Sequence, residues 1–365
     1  MKILYIAPLP PPLAGHSLVA QVLYEDLVKI HNVEAVNFNK QSFKDGIDSF
    51  QRVFEVLNVL KEIWIKRSGA DAIYLTISES IAGNLKDLFI YLICYRKLSK
   101  MFIHLHGGTI KTELWDKYPI IHKINKFFIR KMAGVIISGK SHLRIFNDIV
   151  PTDKIHMVPN FALESLFVRE AGIKSKFSEL VPIRILYISN MIDMKGYNDL
   201  AEAYFSLDDS YKDRVRIDFA GRFETMDQES AFRKKIEAND GLIYHGMVDN
   251  QEKESLFSKA HIFCLPTSYL EGQPVSILEA YASGCVVLTT GQPGILDIFT
   301  PGINGFQINK RSPESIKNVI QQIIDQNLNL LQIALINRKV AEEKYRISIY
   351  NSSLRGIIES VQSVS

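Results

Sequence analysis

Short apolar runs alternate with longer amphipathic ones along the whole chain. The short runs are rich in Ile, Val and Leu on both sides of the backbone, as expected of strands buried on two faces. The longer stretches repeat their apolar residues at helical spacing. Such alternation predicts parallel strands joined by crossover helices, an α/β class. In the first half, strands are expected at 2–7, 33–38, 72–76, 102–106, 134–138 and 155–158, with helices at 17–30, 50–66 and 85–98 between them. A second series begins at 183–189 and continues through 215–220, 242–244, 262–265, 286–289 and 305–308.

The chain has 365 residues, 47% of them hydrophobic, which is enough for two cores. The expected organisation is an N-terminal doubly wound domain over 1–165, a linker at 166–182 within a polar stretch closed by Pro182, and a second doubly wound domain over 183–340. Ligands of open α/β sheets bind beyond the carboxyl ends of the strands. Gly15, His106, Asn190, Gly221 and Glu271 all fall at or just after expected strand ends, so one site in a cleft between the two halves is expected.

Charge and cysteine usage narrow the class. With 43 Lys and Arg against 40 Asp and Glu, the net charge of +3 gives no bulk electrostatic reason to expect a nucleic-acid partner. Cys94, Cys264 and Cys285 are far apart and lack metal-ligand spacing, so buried thiols in a cytoplasmic protein are expected. The apolar start ends at Pro8, too soon for a secretory h-region. The stretch from Leu85 to Ile103 is broken by Lys86, Asp87, Arg96, Lys97 and Lys100, so it is not read as a membrane span.

The most informative segment runs from Glu271 through Gly272, Gln273, Pro274 and Val275 to Glu279. Gly272 and Pro274 suit a tight turn, and 275–282 suits a helix whose first-turn N–H groups and dipole favour phosphate. Glu271 in the loop is placed to accept hydrogen bonds from sugar hydroxyls, and Glu279, about two turns on, from the two hydroxyls of a ribose. A plain amphipathic helix with a Glu near each end has the same spacing. Neither Gly-x-Gly-x-x-Gly after the first strand nor a Walker-type loop occurs, which excludes the usual dinucleotide oxidoreductase and NTPase patterns.

The ordered motifs His245-Gly246, Pro266-Thr267-Ser268, Glu271 to Glu279, Ala282-Ser283-Gly284 and Gly294-Ile295-Leu296-Asp297 resemble the retaining glycosyltransferases of the two-Rossmann-domain GT-B fold. Within these the chain is most similar to the large group 4, in which two glutamates are separated by seven residues. His106-Gly107, Pro159-Asn160 and Lys195-Gly196 are weaker matches. The resemblance implies that Glu279 binds the nucleotide ribose, that Glu271 contacts the donor sugar, and that His106 lies against that sugar near the reacting carbon. It also implies that 341–365 contains a closing helix that crosses back to the first domain.

Lys195 is expected to balance the charge of the donor diphosphate and of the departing nucleoside diphosphate. The family often has an arginine five residues earlier, but Asn190 stands here, so Lys195 either acts with Arg222 or the diphosphate site is weaker than usual. Gly15 leaves one position free of a side chain near the start of the first helix, where the family more often shows two glycines. His104 and His106 share a side of their strand, so alternation does not choose between them. No Asp-x-Asp occurs and no third ligand accompanies the two histidines, so neither a metal nor another cofactor is expected.

The resulting expectation is a retaining hexosyl- or N-acetylhexosaminyltransferase that uses a nucleotide-sugar donor, UDP-linked by family habit. Its acceptor is a hydroxyl of a glycan or lipid-linked glycan, in bacterial surface polysaccharide synthesis such as O-antigen or capsule. A catalytically silent nucleotide-sugar-binding partner subunit, or an epimerase or hydrolase of the same fold, remains the alternative. Acceptor contacts are expected from the loops at 9–17 and 107–118. The segment 117–131, with Lys117, Lys123, Lys126, Arg130 and Lys131 among Ile and Phe, reads either as an ordinary packed helix or as a peripheral contact with the inner face of the cell membrane.

Overall fold

The computed structural model describes residues 1–11, 15–39, 49–326 and 328–361. Its twelve strands are β1 (Lys2–Ala7), β2 (Asn32–Asn37), β3 (Ala72–Thr76), β4 (Met101–Leu105), β5 (Gly134–Ile137), β6 (Ile155–Met157), β7 (Ile183–Ile188), β8 (Val215–Ala220), β9 (Leu242–Tyr244), β10 (Ile262–Leu265), β11 (Val286–Thr290) and β12 (Gly305–Ile308). They form two six-stranded sheets ordered β2-β1-β3-β4-β5-β6 and β12-β11-β10-β7-β8-β9, with every neighbouring pair parallel. The α/β reading thus holds, and each expected strand lies within one or two residues of an observed one.

Strands β1, β3, β4, β5, β10 and β11 are buried along their whole length or all but one residue of it, which is why they read as continuous apolar runs. The helices of the first series are α1 (Gly15–Leu27), α2 (Ser49–Lys66), α3 (Ile81–Ile93), α4 (Pro119–Ile129) and the short α5 (Leu143–Phe146). Those of the second are α6 (Glu170–Lys176), α7 (Tyr197–Phe205), α8 (Asp209–Lys212), α9 (Met226–Ile236), α10 (Asn250–Lys259), α11 (Val275–Ala282), α12 (Pro293–Leu296), α13 (Pro313–Asp325) and α14 (Leu330–Lys344). The last helix is α15 (Ile347–Glu359).

The chain divides into two compact units, Met1–Asn160 with Ser348–Ser365, and Phe161–Ile347. In the first, the parallel crossovers β2→β3→β4→β5 advance in one direction across the sheet, which places α2, α3 and α4 side by side on one face. Their inner sides close over Leu4, Ile6, Ile73, Leu75, Ile103 and Leu105. α15 joins this unit through Arg355 to Asp26 at 2.8 Å and His31 to Glu359 at 2.8 Å. In the second unit, the stretch read as a linker carries α6 and buries Leu166, Ile173 and Phe177 in the core. Arg338 holds it further by donating to the carbonyl of Val168 at 2.8 Å.

Each sheet changes direction once, between β1 and β3 in the first and between β7 and β10 in the second. At such a point the loops beyond adjacent strand ends diverge and leave room for a ligand.

Candidate functional site

In the second unit the switch point lies between the ends of β7 and β10, and Lys195 and Glu271, both expected at a donor site, meet there. The loop after β7 is pinned to the loop after β10, because the N–H groups of Ser268 and Tyr269 both donate to the carbonyl of Met194, at 2.7 and 3.1 Å. Gly196 makes this approach feasible. Its φ is +81°, and a Cβ there would stand 2.3 Å from the carbonyl oxygen of Pro266. Lys195, one residue earlier, is thereby held over Glu271, Nζ to Oε1 2.5 Å, with both side chains mostly buried. The hydroxyl of Thr267 donates to the same oxygen at 3.0 Å, and the ring of Tyr269 lies 5.0 Å from the ammonium.

Glu279 lies in the second turn of α11 and is 2% exposed. Its partner is Lys253 on α10, Nζ to Oε1 2.5 Å. Burial pushes the Glu279 carboxyl above the usual carboxylate range, and Lys253 opposes that shift. Nothing in the sequence singled out Lys253. A capping box was legible there: Asp249 accepts from the N–H of Glu252 at 2.8 Å, and Glu252 accepts from the N–H of Asp249 at 3.0 Å. That box marks the start of α10 and so puts Lys253 in its first turn, but it says nothing of which side chain lies opposite.

Gly272 and Gln273 are buried in the turn before α11, with Pro274 at the N-cap position and Val275 opening the helix. The turn is backed by Gly294 at the start of α12, where a Cβ would stand 1.5 Å from the carbonyl oxygen of Gly272 and 2.5 Å from that of Glu271. Gly294→Ala is therefore expected to push the 271–274 turn off its position and weaken nucleotide binding by at least about tenfold while the rest of the fold survives. Calorimetric titration with UDP, beside a thermal unfolding curve, tests this. Unchanged affinity would show that the turn does not hold the ligand.

Asn190 and Arg222 are both exposed, and their loops adjoin: the N–H of Met191 donates to the carbonyl of Arg222 at 2.9 Å. Gly221, with φ +146°, is required because a Cβ would stand 1.8 Å from the carbonyl oxygen of Ser189. Lys310 and Arg311, after β12, were not foreseen either. Lys310 donates to Gln292 Oε1 at 3.0 Å, and Arg311 reaches the Ser268 hydroxyl at 3.5 Å with the unusual φ of +49° for a residue other than glycine.

The first unit has its own polar cluster at the end of β4. His104 and His106 do share a side, their ring centroids 4.0 Å apart. His104 is fully buried and its Nδ1 lies 2.7 Å from the Tyr74 hydroxyl. His106 stands just past the strand end, with both ring nitrogens inaccessible and without a hydrogen-bond partner among the described residues. What occupies the space beside Gly107 is Glu79: a Cβ on Gly107 would stand 1.6 Å from its Oε2, and its Oε1 accepts from the N–H groups of Thr109 and Ile110 at 2.6 and 2.9 Å. Glu79 had no sequence signal. Gly15 opens α1 with open space around it, while 12–14 of the expected 9–17 loop lie outside the described residues.

Burial, reinforced by His16 and His142, holds the His106 imidazole down at about 3, and His104 is likewise held well below its ordinary value. Both are neutral at physiological pH. An unfolded chain takes up these protons near pH 6.5 whereas the folded one does not until about 3 for His106, so stability is lost as pH falls through that window. The loss is at most about 1.4 kcal/mol per pH unit for each group. Nitrogen-15 NMR is expected to show His106 as a neutral imidazole at pH 5, and a midpoint near 6.5 would overturn the assignment.

No cluster of three or more metal-ligating side chains occurs among the described residues. Residues 169–339 match the family described as glycosyl transferases group 1. Among curated proteins, an uncharacterized glycosyltransferase of Methanocaldococcus jannaschii, MJ1069, is 23% identical over 253 residues, 66% of this chain; the chain spans 63% of that relative's length. The amylovoran biosynthesis glycosyltransferase AmsK of Erwinia amylovora is 22% identical over 334 residues, 82% of this chain and 77% of AmsK. Among solved structures, Anabaena Alr3699/HepE, in complex with UDP, superposes with a TM-score of 0.73 at 14% identity, covering 99% of this chain and 100% of the other. The whole chain thus has the GT-B fold of glycosyltransferases. Its second unit, which carries the Lys195–Glu271 and Lys253–Glu279 pairs, is the part that matches the glycosyl transferases group 1 family.

Proposed function

We propose that the protein transfers a sugar from a nucleotide diphosphate donor, UDP-linked, to a hydroxyl of a glycan or lipid-linked glycan acceptor, with retention of configuration. The observation that carries this reading is the placement of two buried carboxylates, each paired with a lysine, around the switch point of the second sheet. Glu279 would accept hydrogen bonds from the ribose hydroxyls and Glu271 from the donor sugar. Lys195 would turn from Glu271 toward the diphosphate, with the first turn of α11 and Arg222 adding positive potential. His106, neutral and unpartnered, would hydrogen-bond the sugar once a side-chain movement uncovers one of its ring nitrogens. Gly15, Asn190 and Gly221 would leave room for the donor at the strand ends.

In the reaction the bond from the anomeric carbon to the diphosphate oxygen breaks. The acceptor oxygen bonds that carbon from the same face, and its proton passes to the departing diphosphate. The protein's part is positioning and charge stabilisation by Lys195. A product for surface polysaccharide is the reading that AmsK supports, a glycosyltransferase named for amylovoran biosynthesis. A lipid-linked acceptor would bring the chain to the inner face of the cell membrane as a peripheral protein, touching it through 117–131. No helix among the described residues is long and apolar enough to cross a membrane.

The test is mass-spectrometric detection of nucleoside diphosphate released from UDP-, GDP- and ADP-sugars, with and without membrane lipid extract, and with Glu279→Ala as control. Release that needs one donor, the extract and Glu279 is expected. A nucleotide-sugar product would instead identify an epimerase, release without acceptor a hydrolase, and donor binding without turnover a silent subunit.

A further inference from the structure

We infer that the whole outer face of the α2, α3 and α4 layer, not the 117–131 segment alone, seats the first unit on a bilayer containing anionic phospholipid. The inference rests on the membrane-contact reading above and extends it to surfaces that the sequence did not single out. On α3, Ile81, Leu85, Phe89 and Leu92 recur at i, i+4, i+8 and i+11, and all are between 47% and 60% exposed. The only ionisable side chains apart from Tyr91 on that helix, Lys86 and Asp87, are buried and lie 3.3 Å apart, so its solvent face carries no charge. A surface helix of a fully hydrated protein has the opposite polarity.

α4 lies beside it, joined through the reciprocal amide pair of Asn84 and Asn125 at 2.8 and 3.2 Å and the Tyr91 to Phe128 ring contact. It exposes Ile120, Ile124 and Phe127 next to Lys123, Arg130 and Lys131, and has no acidic residue. On the other flank α2 exposes Leu57, Trp64 and Ile65, with the Arg67 guanidinium 3.5 Å over the Trp64 ring. Apolar rings and chains ringed by cations are the pattern of an interfacial surface.

Charge decides the occupant. Residues 49–131, which carry all three helices, hold fourteen of the 43 Lys and Arg but seven of the 40 Asp and Glu, a balance of +7, while the other 282 residues carry 29 cations against 33 anions. Two copies of so basic a face repel each other, whereas an anionic leaflet attracts each cation by a substantial amount. Lys123, Lys126, Phe127, Arg130 and Lys131 also line a depression of about 350 Å³, room for a phosphate head group.

The experiment is flotation of the full chain with phosphatidylcholine vesicles, with or without phosphatidylglycerol, read together with tryptophan emission. The only tryptophans are Trp64, 58% exposed, and Trp115, 1% exposed, so a blue shift on binding reports Trp64 leaving water. Wild type is expected to float only with phosphatidylglycerol and to shift its emission. The pairs Leu85→Glu with Phe89→Glu, and Lys123→Glu with Lys131→Glu, should each lower partitioning at least about tenfold. Absence of flotation, equal flotation of either pair, or self-association that these pairs abolish without any flotation would each overturn the inference. UDP titration without vesicles separates the two readings: flotation without UDP binding retains the membrane inference alone, and UDP binding without flotation retains the donor site alone.

Discussion

Replacing Glu279 with alanine is expected to lower nucleotide-sugar affinity by about 10²-fold or more and to lower the melting temperature of the second unit as well. Two hydrogen bonds from ribose hydroxyls to a carboxylate are worth about 1.5–3 kcal/mol each, and together they account for the affinity loss. The stability loss has a different source. Glu279 is 2% exposed and is paired with Lys253, so the variant leaves an ammonium that is 17% exposed facing a cavity. Breaking a buried pair from one side costs about 3–5 kcal/mol, on the order of 10 °C for a unit of this size. Combining Glu279→Gln with Lys253→Met removes both charges and should recover most of the melting temperature without recovering affinity. Calorimetric titration and scanning calorimetry on the three proteins provide the check. If affinity returned along with stability, Glu279 would be a structural residue and the ribose assignment would be lost.

Lys195→Ala should lower kcat by about 10² to 10³-fold at saturating donor, with a smaller change in donor affinity. The charge that the lysine meets is greatest as the diphosphate departs, so its effect falls on the transition state more than on binding. The ammonium is held by Glu271 at 2.5 Å, and the Thr267 hydroxyl, which donates to the same Glu271 oxygen, offsets only part of the lost pairing when the lysine is gone. The variant should therefore fold with a lowered melting temperature, which leaves kcat at saturating donor as the readout. Lys195→Arg keeps the charge but not the reach, and an intermediate rate is expected. Steady-state kinetics with the donor that the release assay identifies decide the matter, and a kcat within about threefold of wild type would exclude Lys195 from leaving-group stabilisation.

The periodic elements were legible because their signals are local. β3, β8, β9, β10, β12 and α11 appear at the expected residues, since a buried parallel strand is a short apolar run and a helix opening after Pro274 has its start written beside it. Glu271 and Lys195 were candidates because each sits in a loop after a strand that the pattern predicts, and Glu279 because of its spacing from Glu271 and the family resemblance. Their partners were not legible. Lys253 is 26 residues from Glu279, and Lys195 is 76 from Glu271, and the second pairing exists only once β7 and β10 lie side by side. Gly107 shows the same limit from the other direction: its missing side chain makes room for Glu79, 28 residues earlier, which no local pattern connects to it.

The apolar and basic helix layer of the first unit divides along the same line. The basic and apolar interleaving of 117–131 is a sequence property, readable either as a packed helix or as an interfacial one. Which residues of α3 and α2 join it depends on crossovers that carry three helices onto one face of the first sheet. By itself, then, the order of residues determined the α/β class, the two series of strands and the carboxylates at the strand ends, because hydrophobic period and turn chemistry act over a few residues. Only the tertiary structure decided which lysine neutralises which carboxylate, which histidine keeps its nitrogens unpaired, and which apolar side chains remain in water, because burial and Coulomb interaction depend on distance in space.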